Sequence, residues 1–201
     1  MGDFREVRMS TDELTGLLDK QTFFVCAQNL IDTAHYGQEY AFIFFDVENF
    51  KIFNANYGYE IGDELLVSIA HILKDEFEGQ LLAHFTGDHF VACVNTIQVI
   101  QTIKSVRERI KLIRKSASIE LKAGIYLYDG EEKDVIKCCD KARMACISIK
   151  KKYDVGYRVY DKELGGSLQR KQDILDRLDE AIAKRYIKVY YQPIVRSFTG
   201  E

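Results

Sequence analysis

A single proline and no tryptophan occur in the 201 residues, and the five cysteines include no C-x-x-C pair. With so little proline the chain has few built-in breaks, which excludes a proline-rich linker or low-complexity protein. An odd number of unpaired cysteines supplies neither a disulfide framework nor a zinc ligand set. Cys26, Cys93, Cys138, Cys139 and Cys146 therefore read as small core residues of a protein in a reducing compartment. An excess of positive charge is also missing. The 28 Lys and Arg stand against 31 Asp and Glu, a net charge of −3, so no cationic field exists to hold a nucleic acid polymer. The longest apolar run, Ala41 to Phe45, is far too short to span a bilayer, and Asp3, Glu6, Asp12 and Glu13 occupy the place of an apolar leader. These absences predict a soluble, cytoplasmic chain with no membrane contact of its own.

What is present is 47% hydrophobic residues with 12 Tyr and 12 Phe, enough for one well-buried α/β core plus a fragment of something further. An apolar-periodic stretch from about Phe23 to Ile31 predicts a helix after the Leu14-Thr15-Gly16-Leu17 turn. The run AFIFFD predicts a strand buried on both faces and closed by Asp46. Two helices follow, Asn49 to Asn56 and Glu60 to Phe77, parted at Gly58. Leu81 to Phe85 and Phe90 to Val94 form a hairpin around Thr86-Gly87-Asp88-His89. Next come a helix over Ile97 to Ile113, a strand over Ile119 to Tyr128, a helix over Asp134 to Lys150 and a short strand over Tyr157 to Tyr160. The basic residues ending the first of these helices, among them Arg114 and Lys115, read as a solvated face. Gly165-Gly166 interrupts the chain before a helical stripe from about Gln169 to Lys184, and IKVYYQPIV then predicts a strand.

Two carboxylates stand at privileged positions, Asp46 at the end of the core strand and Asp88 in the hairpin. Buried acids are costly unless paired or metal-bound, and Mg²⁺ accepts one or two carboxylates with water and phosphate oxygens completing its shell. A nucleotide is the substrate such a site implies. The alternative is structural: Asp46 caps the helix that starts at Asn49, and Asp88 suits a turn.

The string FFDVENFKIFNANYGYEIGDELL closely resembles the D-x-D-x-F-K-x-x-N-D-x-x-G-H-x-x-G-D-x-L-L signature of GGDEF domains, the diguanylate cyclase family of bacterial signalling. DELTGLLDKQTF is similar to the family's opening, and AHFTGDHF stands in place of A-R-Y-G-G-D-E-F. The resemblance covers residues 10 to 161. It implies an α/β (α+β) nucleotide-cyclase-like fold, with a mostly antiparallel five-stranded sheet flanked by helices. It also implies GTP as ligand, Mg²⁺ (or Mn²⁺) as cofactor, and a homodimer that joins two GTP into cyclic di-GMP. Position by position, Asp46, the Val47 backbone and Asp88 resemble metal ligands, with Asp88 and His89 at the catalytic turn. Asn54 and Asp63 match the pair that reads guanine, an amide and a carboxylate complementary to its donor and acceptor edge. Phe50 and Lys51 fall within the same substrate-binding motif, the first also readable as core and the second as an exposed helix charge.

The chain departs from the pattern where chemistry is done. Thr86 replaces the first signature glycine and His89 the glutamate, which removes a carboxylate for metal or for deprotonating a 3′-hydroxyl. In DKARMACISIKKK, Ile147 takes the position of a phosphate-binding lysine and Lys151 that of an arginine; Lys150 to Lys152 either reach a triphosphate or are solvated. No R-x-x-D inhibitory site precedes the hairpin. Finally, Tyr190, Tyr191, Gln192 and Pro193 resemble the start of an EAL phosphodiesterase domain. The expected organisation is a tail (1–9), a GGDEF domain (10–161), a connector helix (162–185) and the start of an EAL domain (186–201). Three functions stay open: a degenerate domain that binds GTP with weak or no turnover and regulates the EAL domain, an active cyclase, and a non-binding interaction module.

Overall fold

The computed structural model describes residues 9–34, 39–113, 119–186, 188 and 190–192. It divides into two units, 1–161 and 162–201. In the first, α1 (Lys20–Asp32) precedes the central strand β1 (Tyr40–Glu48), which leads through α2 (Phe50–Tyr57) and α3 (Tyr59–Glu76) to the hairpin β2 (Leu81–Thr86) and β3 (His89–Asn95). Then follow α4 (Val99–Ile113), β4 (Glu120–Leu127), α5 (Val135–Ile147) and β5 (Tyr157–Val159). The five strands form one sheet in the order β2-β3-β1-β4-β5, antiparallel except for the β4–β5 pair.

Strand period explains the layers. Side chains alternate along β1, so Ile43, Phe45 and Val47 enter one core with Leu65 and Ile69 of α3 and Ile103 and Val106 of α4. Phe42 and Phe44 enter the other with Phe23 of α1 and Cys138, Ala142 and Cys146 of α5. By the same parity Asp46 lies on the α1/α5 side. There α5 packs close on β4, because at Gly124 a Cβ would sit 2.0 Å from the Ala142 carbonyl oxygen. The opening turn covers the sheet edge: Leu18 bridges to Ala83, its N–H donating to the Leu82 carbonyl at 3.1 Å.

Several expectations are corrected. Helix α5 stops at Ile147, capped at Ser148, and the chain turns with Lys151 at φ +64°, so Lys150 lies in a turn and not on a helix. Gly165 and Gly166 lie inside α6 (Lys162–Asp176), and the helical stripe breaks instead at Arg177 before α7 (Leu178–Ala183). Two glycines cost a helix about 2 kcal/mol in all, too little to end it here. Of the expected strand IKVYYQPIV, the described residues Lys188 and Tyr190 to Gln192 are not in a strand, which needs a hydrogen-bonding neighbour. The remainder of that expected strand, Pro193 included, the tail up to residue 8, and Arg114 and Lys115 lie outside the described residues.

Candidate functional site

The ladder between β1 and β3 sets Asp46 directly opposite His89. Gly87 supplies a positive φ of +56° at the first position of the two-residue turn, a conformation that costs glycine little, and Asp88 follows it. The Val47 N–H donates to the Asp88 carbonyl at 3.0 Å, which ties the turn to the end of β1. Asp46 is 2% exposed. Its Oδ2 lies 3.0 Å from His89 Nε2 and 2.5 Å from Lys150 Nζ, and the same imidazole nitrogen lies 3.6 Å from Asp88 Oδ1. Burial pushes the Asp46 carboxyl up, but the hydrogen bonds from His89 and Lys150 outweigh it and hold the group below the ordinary carboxylate range. Burial acts on Lys150 in the opposite sense and is likewise outweighed, by Asp46 first and Asp88 after it, so its ammonium is held more firmly than usual. Asp46 is therefore an ion-pair partner and not a helix cap: the N-cap residue of α2 is Asn49, φ +66°, with no side-chain capping bond.

Lys150, and not Lys151, reaches the carboxylates. Lys151 is exposed, and its N–H donates to Glu48 Oε1 at 2.6 Å. Lys122, opposite Asp46 on β4 and fully buried, sends its ammonium to the carbonyls of Lys152 (2.8 Å) and Val155 (3.0 Å) and to Glu120 (2.8 Å). The turn that carries Lys150 is thus fastened to β1 and β4 through the residues that follow it.

Asn54 and Asp63, expected from the resemblance to read guanine, come from the elbow between α2 and α3, made at Gly58 with φ +89°. Asn54 packs against Gly62, the residue before Asp63; a Cβ on Gly62 would lie 2.0 Å from Asn54 Oδ1. That oxygen is buried and has no hydrogen-bond partner among the described residues. Asp63 is exposed. A buried amide oxygen without a partner costs roughly 1–3 kcal/mol, a cost that a ligand N–H would offset. Phe50 is corrected to core: it is 7% exposed and belongs to the α3/α4-side cluster, so its ring is not offered to a ligand. Lys51 is exposed on α2.

Asp46, Asp88 and His89 present donor atoms within 4.8 Å of one another, a separation that one ion could span. The chemistry of the set does not suit a resident Mg²⁺. Mg²⁺ takes oxygen ligands in a strict octahedron, and one donor here is an imidazole. Asp46 Oδ2 also already holds an ammonium. Unit charges about 4 Å apart near a protein surface interact by about 4 kcal/mol, and a divalent ion against Lys150 doubles that repulsion. A divalent ion brought to this oxygen would therefore meet the Lys150 ammonium already paired with it.

Three features escaped the reading of the sequence. Gly62 was visible within the signature, yet its role as the seat of the Asn54 amide depends on how two helices cross. Lys150 was one of three adjacent lysines that the sequence could not rank. His84 joins the opening turn to the hairpin: its Nδ1 lies 3.0 Å from Asp12 Oδ1 and its Nε2 2.8 Å from the Gly87 carbonyl oxygen. Asp12 also accepts from the Thr15 N–H and hydroxyl at 2.8 and 2.7 Å.

The family described as diguanylate cyclase, GGDEF domain, matches over residues 9–154. The chain belongs to the GGDEF family. It is a domain of the kind carried by cyclic di-GMP signalling proteins. Among curated relatives it is 25% identical over 171 residues to the bifunctional diguanylate cyclase/cyclic di-GMP phosphodiesterase MucR of Pseudomonas aeruginosa, covering 81% of this chain and 25% of MucR. It is 28% identical over 202 residues to the cyclic di-GMP phosphodiesterase PdeB of Shewanella oneidensis, covering 93% and 23%. The chain thus spans about a quarter of the length of these relatives. Among solved structures, the GGDEF domain of TpbB (YfiN) from P. aeruginosa superposes with a TM-score of 0.67 at 23% identity, over 80% of this chain and 99% of that one. The coiled coil and GGDEF domain of DgcB from Caulobacter crescentus, solved with c-di-GMP, gives 0.66 at 20% identity, over 75% and 84%. At that identity the likeness is one of fold. Among the described residues, no helix of this GGDEF domain or of the second unit is long and apolar enough to cross a membrane.

Proposed function

We propose that this is a degenerate GGDEF domain that binds GTP as a regulatory ligand, turns it over weakly or not at all, and serves an EAL phosphodiesterase domain in the same protein. One observation carries the reading: Asp46, where the family's metal chemistry would be centred, is engaged by His89 and Lys150. Binding is supported separately by the Asn54 amide, whose oxygen is buried at Gly62 beside Asp63 and has no hydrogen-bond partner among the described residues. Asp63 would accept from the ring and exocyclic N–H groups of guanine, which adenine cannot supply in that arrangement. Val47 and Asp88 frame the phosphate end in this reading, and Lys151 has no role in it.

The regulatory half of the proposal draws on the C-terminal residues that resemble an EAL domain and on two relatives whose names include phosphodiesterase activity. A homodimer, needed to bring two GTP together, belongs to the alternative of an active cyclase. Calorimetry with GTP, GDP and ATP, followed by chromatography of the GTP incubation, tests the reading. GTP is expected to bind in preference to ATP, with no cyclic di-GMP formed. Equal affinity for the two triphosphates overturns the guanine site, and accumulating cyclic di-GMP overturns the loss of turnover.

A further inference from the structure

We propose that Lys150 is the resident cation of this site: its ammonium takes the place on Asp46 that a divalent ion would need, and the domain holds nucleotide phosphate without a bound metal. The proposal rests on the nucleotide reading above, but its central claim concerns only the lysine and the two acids.

The geometry argues for a built-in arrangement over a chance surface pair. Lys150 is not at the end of a free helix. It lies in the turn after α5, where the next residue's N–H is bonded to Glu48 on β1 and the carbonyl of Lys152 accepts from the buried Lys122 on β4. The backbone just after it is therefore held to two strands, β1 and β4, while its own N–H is bonded back to Ile147 at the end of α5, and the side chain of Lys150 is left to reach its partner. It chooses the buried Asp46 oxygen, at 2.5 Å. His89 completes the enclosure, its Nε2 facing Asp46 at 3.0 Å and Asp88 at 3.6 Å. Each carboxylate that could grip a metal thus has a nitrogen of the protein near it, and the more buried one has two.

The ammonium is also suited to the task it inherits. It carries three N–H donors, of which Asp46 needs one, and the side chain remains 40% exposed. Donors are left for a phosphate oxygen arriving from solvent. A point charge on a flexible stem binds phosphate without the fixed shell that an octahedral ion demands.

The test uses the 201-residue chain and two probes. Mn²⁺ alone is titrated into the parent, Lys150→Gln and Lys150→Arg, with free ion read by electron paramagnetic resonance. GTP affinity of the parent is measured in EDTA and in Mg²⁺. Lys150→Gln is expected to take up Mn²⁺ at least about tenfold more tightly than the parent, as removal of a competing cation requires, while Lys150→Arg stays with the parent. Parent GTP affinity is expected to agree within about threefold with and without Mg²⁺. Because Lys150 is partly exposed, circular dichroism melting should show both variants folded. Equal Mn²⁺ uptake by all three proteins overturns the proposal, as does GTP binding that disappears in EDTA. A parent that binds no GTP under either condition defeats the nucleotide reading, while the Mn²⁺ titration still decides whether the lysine excludes the ion.

Discussion

Two corners of the molecule treat their polar groups in opposite ways. At the hairpin corner Asp46 is buried, and its Oδ2 is answered from within the protein by His89 and Lys150. At the α2–α3 elbow the Asn54 oxygen is also buried, yet no described residue answers it. A folded chain seldom leaves a buried acceptor unpaired, and it seldom gathers a buried acid, a lysine and a histidine by accident. The first corner is occupied by the protein's own side chains; at the second the described residues leave the oxygen without a partner. That asymmetry is what the proposed function, recognition kept and chemistry lost, requires.

The contrast can be attacked from either side. The largest effect is expected from Asp63→Ala, which should weaken GTP binding by about 100-fold, the scale of a lost charged hydrogen-bond pair, while leaving the melting temperature unchanged because the side chain is exposed. Calorimetry checks the first and differential scanning the second; unaltered affinity would mean the elbow binds nothing. Gly62→Ala comes next. The new methyl would lie 2.0 Å from Asn54 Oδ1 and must push the amide aside, so a drop of about tenfold in GTP affinity and a narrowed GTP-to-ATP ratio are expected.

A smaller effect should come from acid. Asp12 and Asp46 have carboxyls held below their ordinary value, Asp12 because bonds from Thr15 and His84 outweigh its burial. Their contribution is therefore complete above the ordinary carboxylate range and lost as pH falls through the lowered folded values. Urea unfolding between about pH 5 and pH 3 should show a decline of roughly 1–2 kcal/mol, reduced in Asp12→Asn and Asp46→Asn. The smallest change concerns the cysteines. Burial pushes the Cys93, Cys138 and Cys146 thiols up to about 12 and Cys139 higher still. Alkylation near pH 8, followed by mass spectrometry, should mark Cys26, which is only partly buried, well before the other four.

Much of this could be read in advance, for reasons of period and composition. The AFIFF run had to be a strand covered on both sides, and the apolar spacing of Ile61, Leu65, Ile69 and Leu73 had to be a helix. Gly87 and Asp88 had to turn. What could not be read were relations across distance. Phe50 stands in a binding motif, but its ring turned inward because α2 lies on the α3/α4 side of the sheet. Three consecutive lysines look alike until a left-handed residue at Lys151 and the buried Lys122 decide which one faces β1. The glycine pair in α6 looked like a break because local propensity says so, and the helix ran on regardless.

Alternation along β1 by itself assigned Asp46 to the same face as Phe42 and Phe44, and the order of strands and helices followed from where apolar runs begin and end. Only the assembled sheet brought His89, from a strand far along the chain, and Lys150, from farther still, onto one oxygen of that acid. Side-chain period is a local property of the backbone and is written residue by residue. Which charge meets which depends on strand register and on where a helix stops, and those are settled by packing of the whole domain.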